Sequence, residues 1–317
     1  MNTLRLNSRG PEVELLQSTL QKLGFYNGRI DGIFGFQTFT AVQKFQKEFG
    51  LTVDGIVGPL TWDALMPYIN GYTSYTIKEG DTIYSLSKKY STTTDAIIYA
   101  NPEIDSDNLT VGSKIIIPFG SIVPTNVSYT SDLFTTNLLA LQVIYPFLEF
   151  QTIGRSTLGR GLRAIKFGNG EKELLYVGST HSNEWITTPL LMKFLENLSK
   201  SYVNNLNIFG VSAKELFNNV SLYIVPMLNP DGVDLVTGLF TENTWAYNNA
   251  QKIANNFPDI PFPEGWKANV ERCGFKKLPT VSKVLKSLVF SVYTRLLFFT
   301  YYFLNFYKLI HILINHI

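Results

Sequence analysis

One pattern occurs twice near the amino terminus, as Asp31-Gly32-Ile33-Phe34-Gly35 and as Asp54-Gly55-Ile56-Val57-Gly58. Each copy stands before a helix-like segment. Glycine gives the backbone the freedom a tight turn needs, and aspartate can hold such a turn or cap the helix that follows. Taken singly, Asp31 and Asp54 read as turn and cap residues. Around the copies, apolar residues fall at helical spacing: Val13, Leu16, Leu20 and Leu23, then Ala41, Val42, Phe45 and Phe49. The repeat therefore fixes a small three-helix module over residues 1–70.

A second pattern follows. Tyr75-Thr76-Ile77-Lys78-Glu79-Gly80-Asp81-Thr82-Ile83 opens it, Asn101-Pro102 stands in its middle, and Gly112-Ser113-Lys114-Ile115-Ile116-Ile117-Pro118 closes it. Strand, capped helix, second helix and closing strand predict a βααβ unit over residues 73–119. Asp81 and Thr82 are candidates for simple helix caps. Pro, Ser and Thr then accumulate between Pro118 and Ser131, which predicts a linker at 120–132.

The third region carries the chemistry. Leu174-Leu175-Tyr176-Val177-Gly178 reads as a buried strand, after which Ser179-Thr180 turn the chain so that His181 and Glu184 share the mouth of the next helix. Imidazole nitrogen and carboxylate oxygen suit Zn²⁺, whose catalytic sites use three protein ligands and leave a fourth position for water. The pair is half such a site, and His-x-x-Glu by itself is a weak signal. A second strand, Val220-Ser221-Leu222-Tyr223-Ile224-Val225-Pro226, leads into the turn Asn229-Pro230-Asp231-Gly232.

Strand, turn and spacing together resemble the zinc carboxypeptidase family, in which a His-x-x-Glu pair is followed by a Pro-x-x-Asn-Pro-Asp-Gly strand end. Gly154-Arg155-Ser156 and Phe262-Pro263-Glu264-Gly265-Trp266-Lys267-Ala268-Asn269 bring the likeness to the bacterial γ-D-glutamyl-L-diamino acid endopeptidases, over residues 133–270. Residues 1–70 resemble a peptidoglycan-binding domain, and residues 73–119 a LysM domain. The resemblance implies a multidomain chain: a small three-helix domain, a βααβ domain and an incomplete α/β domain with a mixed sheet. It also implies a zinc peptidase lineage cleaving γ-D-glutamyl–diamino acid bonds in peptidoglycan stem peptides, with His181 and Glu184 as metal ligands. In the LysM family the loops corresponding to Gly80, Asp81 and Thr82, and to Asn101 and Pro102, form a groove for glycans containing N-acetylglucosamine.

The pattern breaks after Val270. The family continues into Arg-Gly-Val-Asp-Leu-Asn and, much later, into a third ligand His and a base Glu, whereas this chain reads Glu271-Arg272-Cys273-Gly274-Phe275-Lys276-Lys277-Leu278. Those residues can be encoded as GAG AGG TGT GGA TTT AAA AAA CTA. Deleting the first base gives Arg-Gly-Val-Asp-Leu-Lys-Asn, so a frameshift is expected there, with residues 271–317 translated out of frame. No position matches the base Glu, and His311 and His316 are the only other histidines. The alternative reading is thus a catalytically inactive peptidoglycan- and glycan-binding remnant. A domain cut near Val270 would also lack strands, which predicts protease sensitivity beyond about residue 133 and resistance over residues 4–118.

Composition narrows the partners. The net charge is +2 and the basic residues are dispersed, which disfavours nucleic acid and fits a soluble wall enzyme acting on glycan strands and stem peptides. Arg295 and Lys308 divide the apolar tail into pieces too short for a membrane anchor. The single cysteine, Cys273, excludes a disulfide framework. Met1-Asn2-Thr3-Leu4-Arg5 lacks the charged start and apolar core of a secretory signal, so cell-wall or spore association is expected with export by another route or action from the cytoplasm.

Overall fold

The computed structural model describes residues 1–208 and 210–268. The expected frameshift region, Cys273, His311, His316 and the apolar tail lie outside the described residues.

Three helices form the first module: α1 (Pro11–Lys22), α2 (Phe36–Glu48) and α3 (Pro59–Asn70). The helical spacing holds for Val13, Leu16, Leu20, Ala41, Val42 and Phe45, all buried. Phe49 departs from it: it sits at the end of α2, exposed, with its ring stacked on Phe45 at 4.3 Å and meeting Tyr68 at 5.8 Å. Its position beyond the last turn puts it at the rim rather than in the core.

The repeat is built around two glutamines that the sequence pattern did not single out. Gln17 Nε2 donates to Asp31 Oδ1 (2.9 Å), Ile33 O (3.1 Å) and Thr38 Oγ1 (3.1 Å), while its Oε1 accepts from the N–H of Asp31 (3.0 Å) and Gly32 (3.1 Å). Gln46 repeats the arrangement in the second copy, reaching Asp54 Oδ1 (2.8 Å), Ile56 O (2.9 Å), Thr61 Oγ1 (3.3 Å) and the Gly55 N–H (2.8 Å). Both side chains are fully buried, so each turn is held from inside by an amide whose donors and acceptor are all used. Asp31 and Asp54 each also accept the N–H two residues on, from Ile33 and Ile56, which makes them turn residues and not helix caps. The amide of Gln17 holds the Asp31 carboxyl below its ordinary range, as the Ile56 N–H and Gln46 do for Asp54.

The second module comprises β1 (Tyr72–Thr76), α4 (Ile83–Lys89), α5 (Thr94–Ala100) and β2 (Lys114–Pro118), with β1 antiparallel to β2. Ile77, Ile83, Leu86, Ile97, Ile115 and Ile117 form its own small core.

The third domain begins with α6 (Ser131–Ile144), β3 (Glu149–Arg155), β4 (Gly161–Phe167) and β5 (Lys172–Val177). It continues through α7 (Thr187–Val203), the short hairpin β6 (Asn207–Ile208) and β7 (Val211–Ser212), α8 (Ala213–Asn219), β8 (Val220–Val225), α9 (Pro230–Val236) and α10 (Trp245–Ala254). Its sheet is mixed, in the order β3-β4-β8-β5, with β5 parallel to β8 and the other pairs antiparallel. β8 lies inside the sheet and is buried along most of its length. The expectation of a buried strand at Leu174–Gly178 is corrected: β5 pairs only with β8 among the described residues, and Leu174 and Val177 are exposed.

The expected linker also differs from a free tether. Ile122, Val123, Val127 and Tyr129 are buried in a core continuous with those of the first module and the third domain. The apolar residues among its Pro, Ser and Thr anchor the segment.

Candidate metal half-site and glycan loops

β5 and β8 run parallel, with Val177 opposite Val225, so their carboxyl ends lie side by side at one end of the sheet. Ligand groups in open α/β sheets gather at such strand ends. The chain leaves β5 through Gly178 and Ser179, where Ser179 adopts φ +46°, and Ser179 is pinned by its N–H to Thr187 Oγ1 (2.7 Å) and its hydroxyl to Thr188 Oγ1 (2.6 Å). Thr188 in turn donates to Pro226 O at 2.6 Å, tying the start of α7 to the end of β8.

His181 then leads into a short 3₁₀ turn, Ser182–Glu184. His181 Nδ1 lies 2.8 Å from Glu184 Oε1, with both side chains partly open to solvent. The turn is held against the start of α9 and the segment after α10. The Ser182 hydroxyl donates to the carbonyls of Trp266 and Ala268, and Gly232, at the start of α9, lies so close that a Cβ there would stand 2.7 Å from Ser182 Cβ. Asn229 caps α9 by accepting the Gly232 N–H at 3.1 Å.

The pair fits a metal in part. Nitrogen and oxygen donors of the right kind converge, and a tetrahedral zinc with ligand distances of about 2.0–2.2 Å holds its donors about 3.4 Å apart, so a small opening of the 2.8 Å contact admits one. Two donors are fewer than the three a catalytic site uses. No group of three or more His, Cys, Asp or Glu side chains placed to hold a metal occurs among the described residues.

On α9 lies a buried polar network that the sequence did not reveal. Asp231 accepts from Ser156 Oγ (2.8 Å) and the Leu158 N–H (3.0 Å). Asp234 accepts from the Ser131 N–H (2.7 Å) and hydroxyl (2.6 Å) and pairs with Arg160 at 2.8 Å. Both carboxylates are fully buried. Burial outweighs Arg160 and the Ser131 bonds at Asp234, whose carboxyl is pushed up to about 6. The Asn-Pro-Asp-Gly turn carried a signal for Asp231; nothing local marked Asp234, whose partners come from α6 and the β3–β4 loop.

In the second module the loop residues are occupied locally. Gly80 has φ +83°, a conformation that favours glycine. Asp81 accepts from the Lys78 N–H (2.7 Å) and Tyr75 OH (2.9 Å), the former chiefly holding its carboxyl below the ordinary range. Thr82 caps α4 in a reciprocal capping box with Ser85. Asn101 bonds Ile97 O (2.7 Å), Ile116 O (2.7 Å) and the Ile116 N–H (2.8 Å), joining α5 to β2, and Pro102 is exposed. The side chains of Asp81, Thr82 and Asn101 thus shape the loops, leaving Gly80 and Pro102 as outward surface.

Comparison with known proteins assigns all three regions. Residues 9–65 match the peptidoglycan binding domain model, residues 75–118 the LysM domain, and residues 137–275 the zinc carboxypeptidase model. The chain is therefore a multidomain protein in which a peptidoglycan-binding-type domain and a LysM domain precede a zinc-carboxypeptidase-type domain. It is a homologue of γ-D-glutamyl-L-diamino acid endopeptidase 1 of Lysinibacillus sphaericus, 40% identical over 143 residues that cover 45% of this chain and 35% of that protein. The spore cortex-lytic enzyme of Oceanobacillus iheyensis is 45% identical over 75 residues, 23% of this chain and 27% of that enzyme. Among solved structures, the SleB N-terminal domain is 42% identical and covers 20% of this chain and 88% of that one, with a TM-score of 0.20. The chain spans about a third of the length of the endopeptidase it matches. Among the described residues, no helix is long and apolar enough to cross a membrane.

Proposed function

We propose that this chain is held on peptidoglycan by its first two modules and that its third domain carries the first two metal ligands of a zinc peptidase. Its substrate would be the γ-D-glutamyl–diamino acid bond of stem peptides, in the cell wall or the spore. The observation that carries the reading is the convergence of His181 Nδ1 and Glu184 Oε1, 2.8 Å apart, at the carboxyl ends of two parallel strands. Names of relatives support the substrate: one is a γ-D-glutamyl-L-diamino acid endopeptidase and another a spore cortex-lytic enzyme. Zinc, when bound, would polarise the scissile carbonyl and lower the pKa of a water. The protein's own contribution is to fix His181 and Glu184 on a short turn braced by Ser182 and Gly232. Gly80 and Pro102 offer the outward surface of the proposed glycan loops, with Asp81, Thr82 and Asn101 shaping it.

A second reading, a wall-binding protein without peptidase activity, is favoured by one observation in the sequence: after Val270 the chain reads Glu271-Arg272-Cys273-Gly274, where the family it resembles continues toward its third His ligand and base Glu. One experiment separates the two. The purified chain is assayed for zinc content, for binding to peptidoglycan sacculi and for cleavage of muropeptides. Cleavage that is lost in His181→Ala supports the peptidase; sacculus binding without cleavage supports the second reading; absence of sacculus binding removes both.

A further inference from the structure

The segment joining the second module to the third domain is gripped from both sides by carboxylates that belong to different modules. Glu14, on α1, accepts the N–H of Ser128 at 2.5 Å and its hydroxyl at 3.2 Å. Glu196, on α7 and 4% exposed, accepts the N–H groups of Ile122 (2.8 Å) and Val123 (3.2 Å). Smaller contacts complete the grip. Lys22 Nζ donates to Ser121 O (3.1 Å) and Tyr68 O (3.3 Å), Lys193 Nζ to Ser121 Oγ (2.6 Å), and Ser18 Oγ to Asn126 Oδ1 (2.9 Å).

A flexible tether would give its amides to water. Here they go to charged acceptors, the stronger class of hydrogen bond, and the apolar side chains between them are buried in a core shared by the first module and the third domain. The second module is fastened as well: Thr93 Oγ1 donates to Asn204 Oδ1 at 2.7 Å, and the Tyr99 ring meets those of Tyr202 (5.8 Å) and Phe147 (6.2 Å) edge-on.

We propose that α1 and α7 form an intramolecular docking surface, with residues 121–130 as the clamped strap between them, so that the first module and the third domain move as one body. The modules are then not a loose tether raising local concentration. They hold the third domain at a fixed offset, so that the His181–Glu184 pair meets only wall material at one distance from the anchoring point. That consequence rests on the wall-binding reading; the docking itself does not.

Hydrogen exchange followed by mass spectrometry on the full chain tests it, with brief proteolysis alongside. The amides of Ile122, Val123 and Ser128 are expected to exchange on the order of a hundredfold or more slower than an open chain. Glu196→Ala leaves two buried N–H groups without a partner and should speed exchange at Ile122 and Val123 by about tenfold or more, with β8 unaffected. Glu14→Ala should do the same at Ser128 alone, and it keeps the test sound if Glu196→Ala does not fold. Open-chain exchange across the strap in the unaltered protein, or unchanged exchange in both variants, overturns the proposal. Strap protection with no sacculus binding would defeat the wall-binding reading and leave the docking intact.

Discussion

The first module and the third domain handle their polar groups in opposite ways. In the first, one device is used twice: a buried glutamine, Gln17 or Gln46, satisfies the turn that follows it, and every partner comes from within residues 17–61. In the third, polar groups are satisfied across long distances in sequence, as Asp234 is by Ser131 and Arg160, and the edge of β5 is unpaired among the described residues. A unit closed locally is specified by a short stretch of chain. A sheet is specified only when all its strands and its covering segments are counted.

The contrast can be broken most forcefully at Gln46. Gln46→Leu removes the Gln46 amide from Asp54, Ile56 O and the Gly55 N–H at once, and the lost bonds, with the buried Gly55 N–H left unpaired, should cost about 3 kcal/mol. Urea unfolding followed by exchange protection of the α2 and α3 amides would show it; a loss below about 1 kcal/mol would mean that the turns do not depend on the glutamines.

Asp234 sharpens the other side. Its carboxyl titrates near 6 in the folded protein against 3.8 ordinarily, so the folded state holds the extra proton between those values. Stability that is full below about pH 4 should decline as pH rises through 6, by on the order of 3 kcal/mol relative to Asp234→Asn. Parallel stability curves for the two proteins across that range would contradict the raised value.

Thr82→Ala removes one half of a capping box and should cost about 1 kcal/mol. The loss should be confined to the second module, since Ile77, Ile83 and Leu86 belong to a separate core. Loss of protection in the first module as well, seen by hydrogen exchange, would show that the two unfold together.

The smallest stability effect is expected at the sheet edge. Leu174 is 44% exposed on β5, so Leu174→Lys should change the unfolding free energy by less than about 0.5 kcal/mol while reducing aggregation, because a charge on an open edge discourages pairing with another chain. Light scattering at rising protein concentration reads this directly. Unaltered aggregation would place the sticky surface elsewhere.

What the sequence could show followed the range of the interactions. The helices of the first module and the turns at Asp31 and Asp54 were legible because their causes lie within a few residues: apolar spacing, glycines and an aspartate bonding two positions on. The meeting of His181 and Glu184 was legible for the same reason, since a three-residue step on a turn brings them together whatever surrounds it. The burial of Ile122, Val123, Val127 and Tyr129, the exposed flank of β5 and the raised Asp234 carboxyl were not. Each is set by groups distant in the chain: Glu14 and Glu196 for the strap, the absence of a second neighbour for β5 among the described residues, and burial beneath α6 and the β3–β4 loop for Asp234. Local geometry is written in neighbouring residues, whereas desolvation and docking depend on which surfaces the fold finally brings into contact.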